Sequence, residues 1–116
     1  MNILFARAKN RKLANKNDLL ERQYRSYSGR AKRIRRRLDD LAAAENLGVM
    51  RHIPQARCHE LKGGLSGLMT VQIDTKYRMI FEVANEPAPQ KPDGGLDWSG
   101  VTAIRIQDLA VDYHDD

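Results

Sequence analysis

Residues 68–84 read LMTVQIDTKYRMIFEVA, and two strand-like stretches in this segment flank a short polar turn. Apolar and polar side chains alternate over 68–74. After the turn at 74–76, residues 77–84 are rich in β-forming side chains and again separate into two faces. Because successive side chains of a strand point to opposite faces, this pattern predicts an antiparallel hairpin with one buried face.

An amphipathic helix is predicted before this hairpin, with Ser28 as its N-cap and a stop at 46–48. An earlier helix is predicted from Asn17, and a break at 26–29 separates the two, so we expect a helical hairpin over about 8–50. Three- and four-residue steps place one set of apolar residues on a single face of the second helix, opposite its arginines: Ala31, Ile34, Leu38, Leu41 and Ala42.

The remaining segments supply shorter elements. Residues 57–61 and 101–109 are candidate strands, whereas the start of the chain at 1–6 is apolar but too irregular to assign firmly. Residues 85–100 hold all but one of the prolines and predict a long loop, in which Trp98 either packs or serves an interaction.

These elements predict one α+β domain over 1–116, with the helical hairpin packed on a small antiparallel sheet at about 57–113. Hydrophobic residues make up 41% and charged residues 30%, as in soluble globular proteins. We expect a cytoplasmic protein, since no apolar run is long enough for a membrane span and no signal peptide is evident. Cys58 is the only cysteine, which excludes an internal disulfide and suits a reducing compartment.

The net charge of +5 conceals an uneven distribution. Residues 1–62 contain 16 Lys and Arg against 6 Asp and Glu, whereas residues 63–116 contain 4 against 9. A basic half attracts polyanions, so RNA, DNA or an acidic protein would suit it, although a solvated helix face is the simpler interpretation. The predicted docking residues on the second helix are Arg30, Arg33, Arg36 and Arg37.

Three motifs follow one another along the chain: HELKG at 59–63, YRMIF at 77–81 and DYH at 112–114. In this order and spacing the chain resembles the HigB-type toxins, or plasmid-maintenance killer proteins, of the RelE superfamily. The resemblance implies an endoribonuclease that cuts mRNA at the decoding site of the ribosome and requires no cofactor. It also implies a helix-turn-helix antitoxin as partner, with operator DNA bound only through the toxin–antitoxin complex, and no membrane partner.

The resemblance carries two sets of site residues onto this chain. Those that match catalytic positions are His59, Asp112, Tyr113 and His114. Those that match phosphate-binding positions are Lys62 and Arg78.

These residue types suit metal-free RNA cleavage, in which the 2′-hydroxyl attacks the adjacent phosphate. Two imidazoles can divide the two proton transfers, and spacing leaves open whether His59 or His114 is the base. Asp112 could orient an imidazole, and Tyr113 could stack on a base. Fixed cations would stabilise the charge of the transition state.

Other interpretations of the same residues remain open at this stage. Arg78 could instead pair with Glu82 on the same strand face. The histidines and Cys58 could hold zinc, but their spacing matches no known ligand pattern. A non-enzymatic basic module that binds nucleic acid or protein is the alternative function.

Overall fold

The computed structural model describes residues 1–61 and 67–112. One strand followed by helices forms the first half, and strands dominate the second half. The strands are β1 (Asn2–Phe5), β2 (His59–Glu60), β3 (Leu68–Gln72), β4 (Tyr77–Val83) and β5 (Ala103–Asp112). The α-helices are α1 (Ala8–Asn15), α2 (Asn17–Gln23) and α3 (Arg30–Ala43), and short 3₁₀ helices cover Leu47–His52, Pro54–Ala56 and Trp98–Gly100.

The predicted hairpin is present as the antiparallel pair β3 and β4. Met69 lies opposite Phe81, and both side chains are fully buried. Asp74 closes the turn, because its Oδ1 accepts hydrogen bonds from the backbone N–H groups of Lys76 and Tyr77 at 3.3 and 3.2 Å. The side-chain alternation therefore correctly assigned the buried face of this hairpin.

The sheet contains one pair that the sequence did not predict. Its strand order is β1-β5-β4-β3-β2, and β1 pairs with β5 in parallel, so the sheet is mixed and not purely antiparallel. Parallel neighbours need a crossover connection, and the three helices lie in the chain between β1 and the other strands. The four residues of β1 alternate irregularly, so their sequence alone does not define a strand. They form one because they pair with β5.

The helical half is α-helical as predicted, but its boundaries differ. α1 and α2 are separate helices that meet at Lys16, and α3 ends at Ala43, before the predicted stop. Gly29, not Ser28, is the N-cap of α3, and it has a left-handed backbone conformation with φ 73°. Glycine adopts positive φ readily. The chain therefore turns sharply into α3 at Gly29, and no side chain caps the helix.

One apolar core joins the helices to the sheet. Ile34 and Leu41 of α3 are fully buried in it, together with Met79, Phe81 and Ile106 from the sheet. This packing assigns one face of β3, β4 and β5 to the helices. The alternate residues of these strands project from the other face.

The long loop after β4 packs on the domain. Trp98 is only 8% exposed, and the Arg51 guanidinium lies 4.0 Å from the centre of its ring. Asn85 Oδ1 accepts hydrogen bonds from the backbone N–H groups of Thr102 and Ala103 at 3.0 and 3.1 Å. Trp98 is therefore a packing residue. Within 1–61 and 67–112, no helix is long and apolar enough to cross a membrane.

Candidate active site

His59 and Arg78 project from the face of the sheet that is turned away from the helices. His59 lies directly opposite Thr70, and Thr70 lies opposite Ile80. Residues paired in this way share a face, and Arg78 is two positions from Ile80 on the same strand. Three strands thus bring an imidazole and a guanidinium to one surface.

The imidazole of His59 is oriented by the backbone. Its Nδ1 lies 2.8 Å from the carbonyl oxygen of Arg57. A carbonyl oxygen can only accept a hydrogen bond, so Nδ1 carries the proton and donates. In the neutral ring, Nε2 is then the nitrogen with the lone pair.

The guanidinium of Arg78 is half-buried, and two of its nitrogens are shielded from solvent. Nε and Nη1 have no hydrogen-bond partner among the described residues. Glu82, the alternative partner, instead accepts a hydrogen bond from Arg105 Nη1 at 2.9 Å. Charged donors removed from water without a partner are costly, so these nitrogens suit the binding of an anion that the described residues do not supply.

Thr70 adds a polar atom that sequence reasoning missed. Its side chain is fully buried, and Oγ1 has no hydrogen-bond partner within the described parts of the chain. It lies between His59 and Ile80 in the register of the sheet. The alternating pattern placed Thr70 on the polar face of β3, but it did not predict that the side chain is buried. Burial depends on which other parts of the protein cover that face.

β5 continues beyond its predicted end at 109 and reaches Asp112. Two register shifts interrupt its pairing with β4, between Arg78 and Phe81. After them, Val111 lies opposite Arg78 and Asp112 lies opposite Tyr77. Asp112 is therefore held in the sheet, but on the face of Tyr77 and not on that of Arg78.

Three predicted site residues lie outside the described residues: Lys62, Tyr113 and His114. His59, Arg78 and Asp112 are thus the predicted site residues with a described position. Of these, His59 and Arg78 share a face.

The four arginines predicted to dock a polyanion differ in their surroundings. Arg33 and Arg36 are exposed. Arg30 is only 9% exposed, and its guanidinium lies between the rings of Tyr27 and Tyr77, at 4.1 and 3.7 Å from their centres. Its Nε also donates to Asp74 Oδ2 at 3.1 Å. The guanidinium of Arg30 is therefore engaged in contacts within the fold.

Arg37 is likewise committed to the fold. Its Nε donates to the carbonyl of Gln72 at 2.8 Å, and its Nη2 donates to the carbonyl of Gln55 at 3.1 Å. Its Nη1 pairs with Asp40 Oδ2 at 3.2 Å. Arg33 Nη1 donates to the carbonyl of Ser28 at 3.2 Å, but its side chain is exposed, as is that of Arg36. These two predicted docking cations thus remain accessible to a partner.

Comparison with known proteins shows the family of this chain. Residues 12–90 match the model of the HigB-like toxins, described as the RelE-like toxin of the type II toxin–antitoxin system HigB. The chain belongs to the HigB-like toxin family. It is therefore a toxin of the RelE type, and membership implies an antitoxin partner. The match includes the positions of His59 and Arg78 and ends before β5.

A solved structure supports the same fold for this HigB-like toxin. The YoeB/ParE toxin from Agrobacterium tumefaciens aligns with a TM-score of 0.50 at 11% sequence identity. The alignment covers 98% of this chain and 100% of the other. A comparison with curated protein sequences found no match.

Metal binding is the alternative role of the histidines in this toxin. Within the two described ranges, no group of three or more His, Cys, Asp or Glu residues lies close enough to hold a metal ion. His52 is exposed, and Cys58 is partly buried beside the site strand β2.

Cys58 is expected to resist alkylation in the folded toxin. Burial raises the pKa of its thiol to about 12, although the charge of Arg51 opposes this rise. Only the thiolate reacts, so iodoacetamide at about pH 8 should modify the native chain at least ~100-fold more slowly than the chain unfolded in urea. Mass spectrometry of timed samples measures this difference. Equal rates in the two states would show that the thiol is accessible and ionisable.

Proposed function

We propose that this HigB-like toxin is an endoribonuclease that cleaves mRNA on the ribosome without a metal ion. The observation that carries the proposal is Arg78, whose two shielded nitrogens lack a partner among the described residues and share a sheet face with His59. A phosphodiester supplies the anion that such a guanidinium binds, and Arg suits planar, two-pronged phosphate contacts. An imidazole on the same face supplies proton transfer.

The proposed reaction uses the RNA as its own nucleophile. The 2′-oxygen loses its proton to a base and attacks the adjacent phosphorus, and the bond from phosphorus to the 5′-oxygen breaks. The departing 5′-oxygen takes a proton from an acid, which leaves a 2′,3′-cyclic phosphate and a 5′-hydroxyl. His59 and His114 supply the two transfers. Arg78 and Lys62 stabilise the charge that develops on the phosphate oxygens.

The remaining predicted residues have supporting roles in this proposal. Asp112 orients an imidazole of the site, as carboxylates do in other acid–base sites. Tyr113 stacks on a base of the message. Arg33 and Arg36, two of the exposed cations of α3, contact ribosomal RNA.

The ribosome is part of the proposal because the described part of the site offers few groups to hold a substrate. Positioning by a second body can supply much of the rate of a reaction whose catalytic groups are few. We therefore expect weak cleavage of free RNA. The proposed antitoxin is a helix-turn-helix protein, and operator DNA is bound only through its complex with the toxin.

Primer extension on translating ribosomes tests this function. The purified toxin should give discrete cuts in the message, and the double variant His59→Ala, His114→Ala should give none. A message with one 2′-deoxynucleotide at a mapped cut should be spared there, because its nucleophile is missing. The same substitution one codon away is the matched control and should leave the mapped cut intact.

Three results would contradict the proposal. Undiminished cutting by the double-alanine variant would remove the histidines from the reaction. Cutting at the 2′-deoxynucleotide would show that water, and not the 2′-oxygen, is the nucleophile. Expression that fails to arrest growth would favour the non-enzymatic binding module.

A further inference from the structure

Arg57 has an unusual backbone conformation two residues before His59. Its φ and ψ are 45° and 49°, in the left-handed region, and it is the one non-glycine residue with positive φ that the described ranges contain. Crowding at Cβ disfavours this region for residues other than glycine, asparagine and aspartate. Since the Arg57 side chain is exposed, its own packing does not explain the conformation.

Contacts with other parts of the fold hold the turn that contains Arg57. The backbone N–H of Arg57 donates to the carbonyl of Pro54 at 3.2 Å, which closes the 3₁₀ helix Pro54–Ala56. Ala56 within it is fully buried. Arg37 of α3 joins the carbonyl of Gln55 in this turn to that of Gln72 at the end of β3. The turn is thus fastened to a helix and to the sheet.

The conformation of Arg57 directs its carbonyl at His59. The Nδ1 to oxygen distance of 2.8 Å is that of a good hydrogen bond, and the carbonyl accepts only from a protonated Nδ1. Strain at non-glycine residues persists where surrounding structure over-determines it, and such positions cluster at functional sites. Here the strained residue fixes both the ring orientation and the tautomer of a histidine on the site face.

We propose that the left-handed turn at Arg57, held in place by Arg37, is a positioning device that keeps His59 in the Nδ1–H tautomer. Nε2 is then the nitrogen that exchanges a proton with RNA, and this last step rests on the function proposed above. The backbone carbonyl of Arg57 performs the task, and its side chain does not. Arg37 is a positioning residue that acts through the turn.

Four variants separate these contributions. Arg57→Gly keeps a residue that accepts positive φ, whereas Arg57→Val introduces a β-branched residue that resists it. Arg37→Met removes the tie to Gln55 and Gln72 but retains an extended side chain. Lys32→Met, which removes an exposed cation from the same helix, is the matched control.

The first readout is the pair of ring ¹⁵N chemical shifts of His59 at a pH where the imidazole is neutral, since these distinguish the two tautomers without reference to RNA. We expect the Nδ1–H pattern in the wild type, Arg57→Gly and Lys32→Met. We expect a mixture of tautomers in Arg57→Val and Arg37→Met. The second readout, single-turnover cleavage on ribosomes, should fall about 10- to 100-fold in those two variants, the size of loss seen when a hydrogen-bond partner that orients a metal-binding histidine is removed.

The Nδ1–H pattern in both Arg57→Val and Arg37→Met would overturn the proposal. So would equal losses of cleavage in Arg57→Gly and Arg57→Val, because the side chain would then be the active part. If Arg57→Val does not fold, the tautomer of His59 in Arg37→Met still decides the proposal. Failure of the proposed function is distinguishable, since it would appear as the expected tautomers together with full cleavage by His59→Ala.

Discussion

Replacing Arg78 with methionine is expected to slow RNA cleavage severely while leaving the free energy of unfolding unchanged or higher. Nε and Nη1 are shielded from water without a partner among the described residues, so folding of the free protein loses their hydration and regains no hydrogen bond. An apolar side chain of similar length removes this cost, which is about 1–3 kcal/mol for a buried unsatisfied group. Cleavage should fall about 10²- to 10³-fold, the usual effect of removing one donor to a transition-state oxygen.

Urea denaturation and primer extension on ribosomes measure the two halves of this prediction. Arg105→Met is the matched control, because Arg105 projects from the same face but is paired with Glu82 in a half-exposed ion pair. It should change the free energy of unfolding by less than ~1 kcal/mol and leave cleavage close to that of the wild type. Retained cleavage in Arg78→Met, or destabilisation by more than about 2 kcal/mol, would show that Arg78 is structural.

Replacing Arg30 with alanine is expected to destabilise the fold by about 2–4 kcal/mol. The substitution removes a guanidinium stacked between Tyr27 and Tyr77, and it leaves the carboxylate of Asp74 without this charged partner. Arg30 is only 9% exposed, so solvent screens these contacts weakly. The partial exposure of Asp74 lowers the estimate below that for a fully buried pair.

Chemical denaturation measures this loss, and the melting temperature should fall by about 10 °C or more. Lys32→Ala on the same helix is the control, and its effect should stay within ~0.5 kcal/mol. Arg30→Lys keeps the charge but loses the planar stack, so an intermediate loss is expected. An Arg30→Ala variant as stable as the control would show that α3 is held to the sheet by its apolar face alone.

The local parts of the fold were predictable because they depend on near neighbours in sequence. Alternation located β3 and β4, and helical spacing located α3. β1 was not assignable, since four irregular residues become a strand only beside β5. The left-handed conformation of Arg57 was equally hidden, because arginine does not favour it and the contacts that hold it come from α3 and β3.

The candidate site was predictable in its residue types but not in its arrangement. Three motifs identified His59 and Arg78, and only strand register placed them on one face. Asp112 belongs to the same set of motifs, yet in the pairing of β4 with β5 it lies opposite Tyr77 and therefore on the opposite face. A bulge changes which residues of two strands lie opposite one another. The amino acid sequence of the strand does not predict where a bulge occurs.

The sequence by itself determined the hairpin, the amphipathic helix, the basic first half and the residues that resemble a toxin site. Only the tertiary structure decided which cations remain available to RNA. Arg30 meets Asp74 across 44 residues of chain, and Arg37 meets Gln72 across 35. A guanidinium is free or engaged according to the rings, carboxylates and carbonyls that folding brings to it, and those partners are distant in sequence.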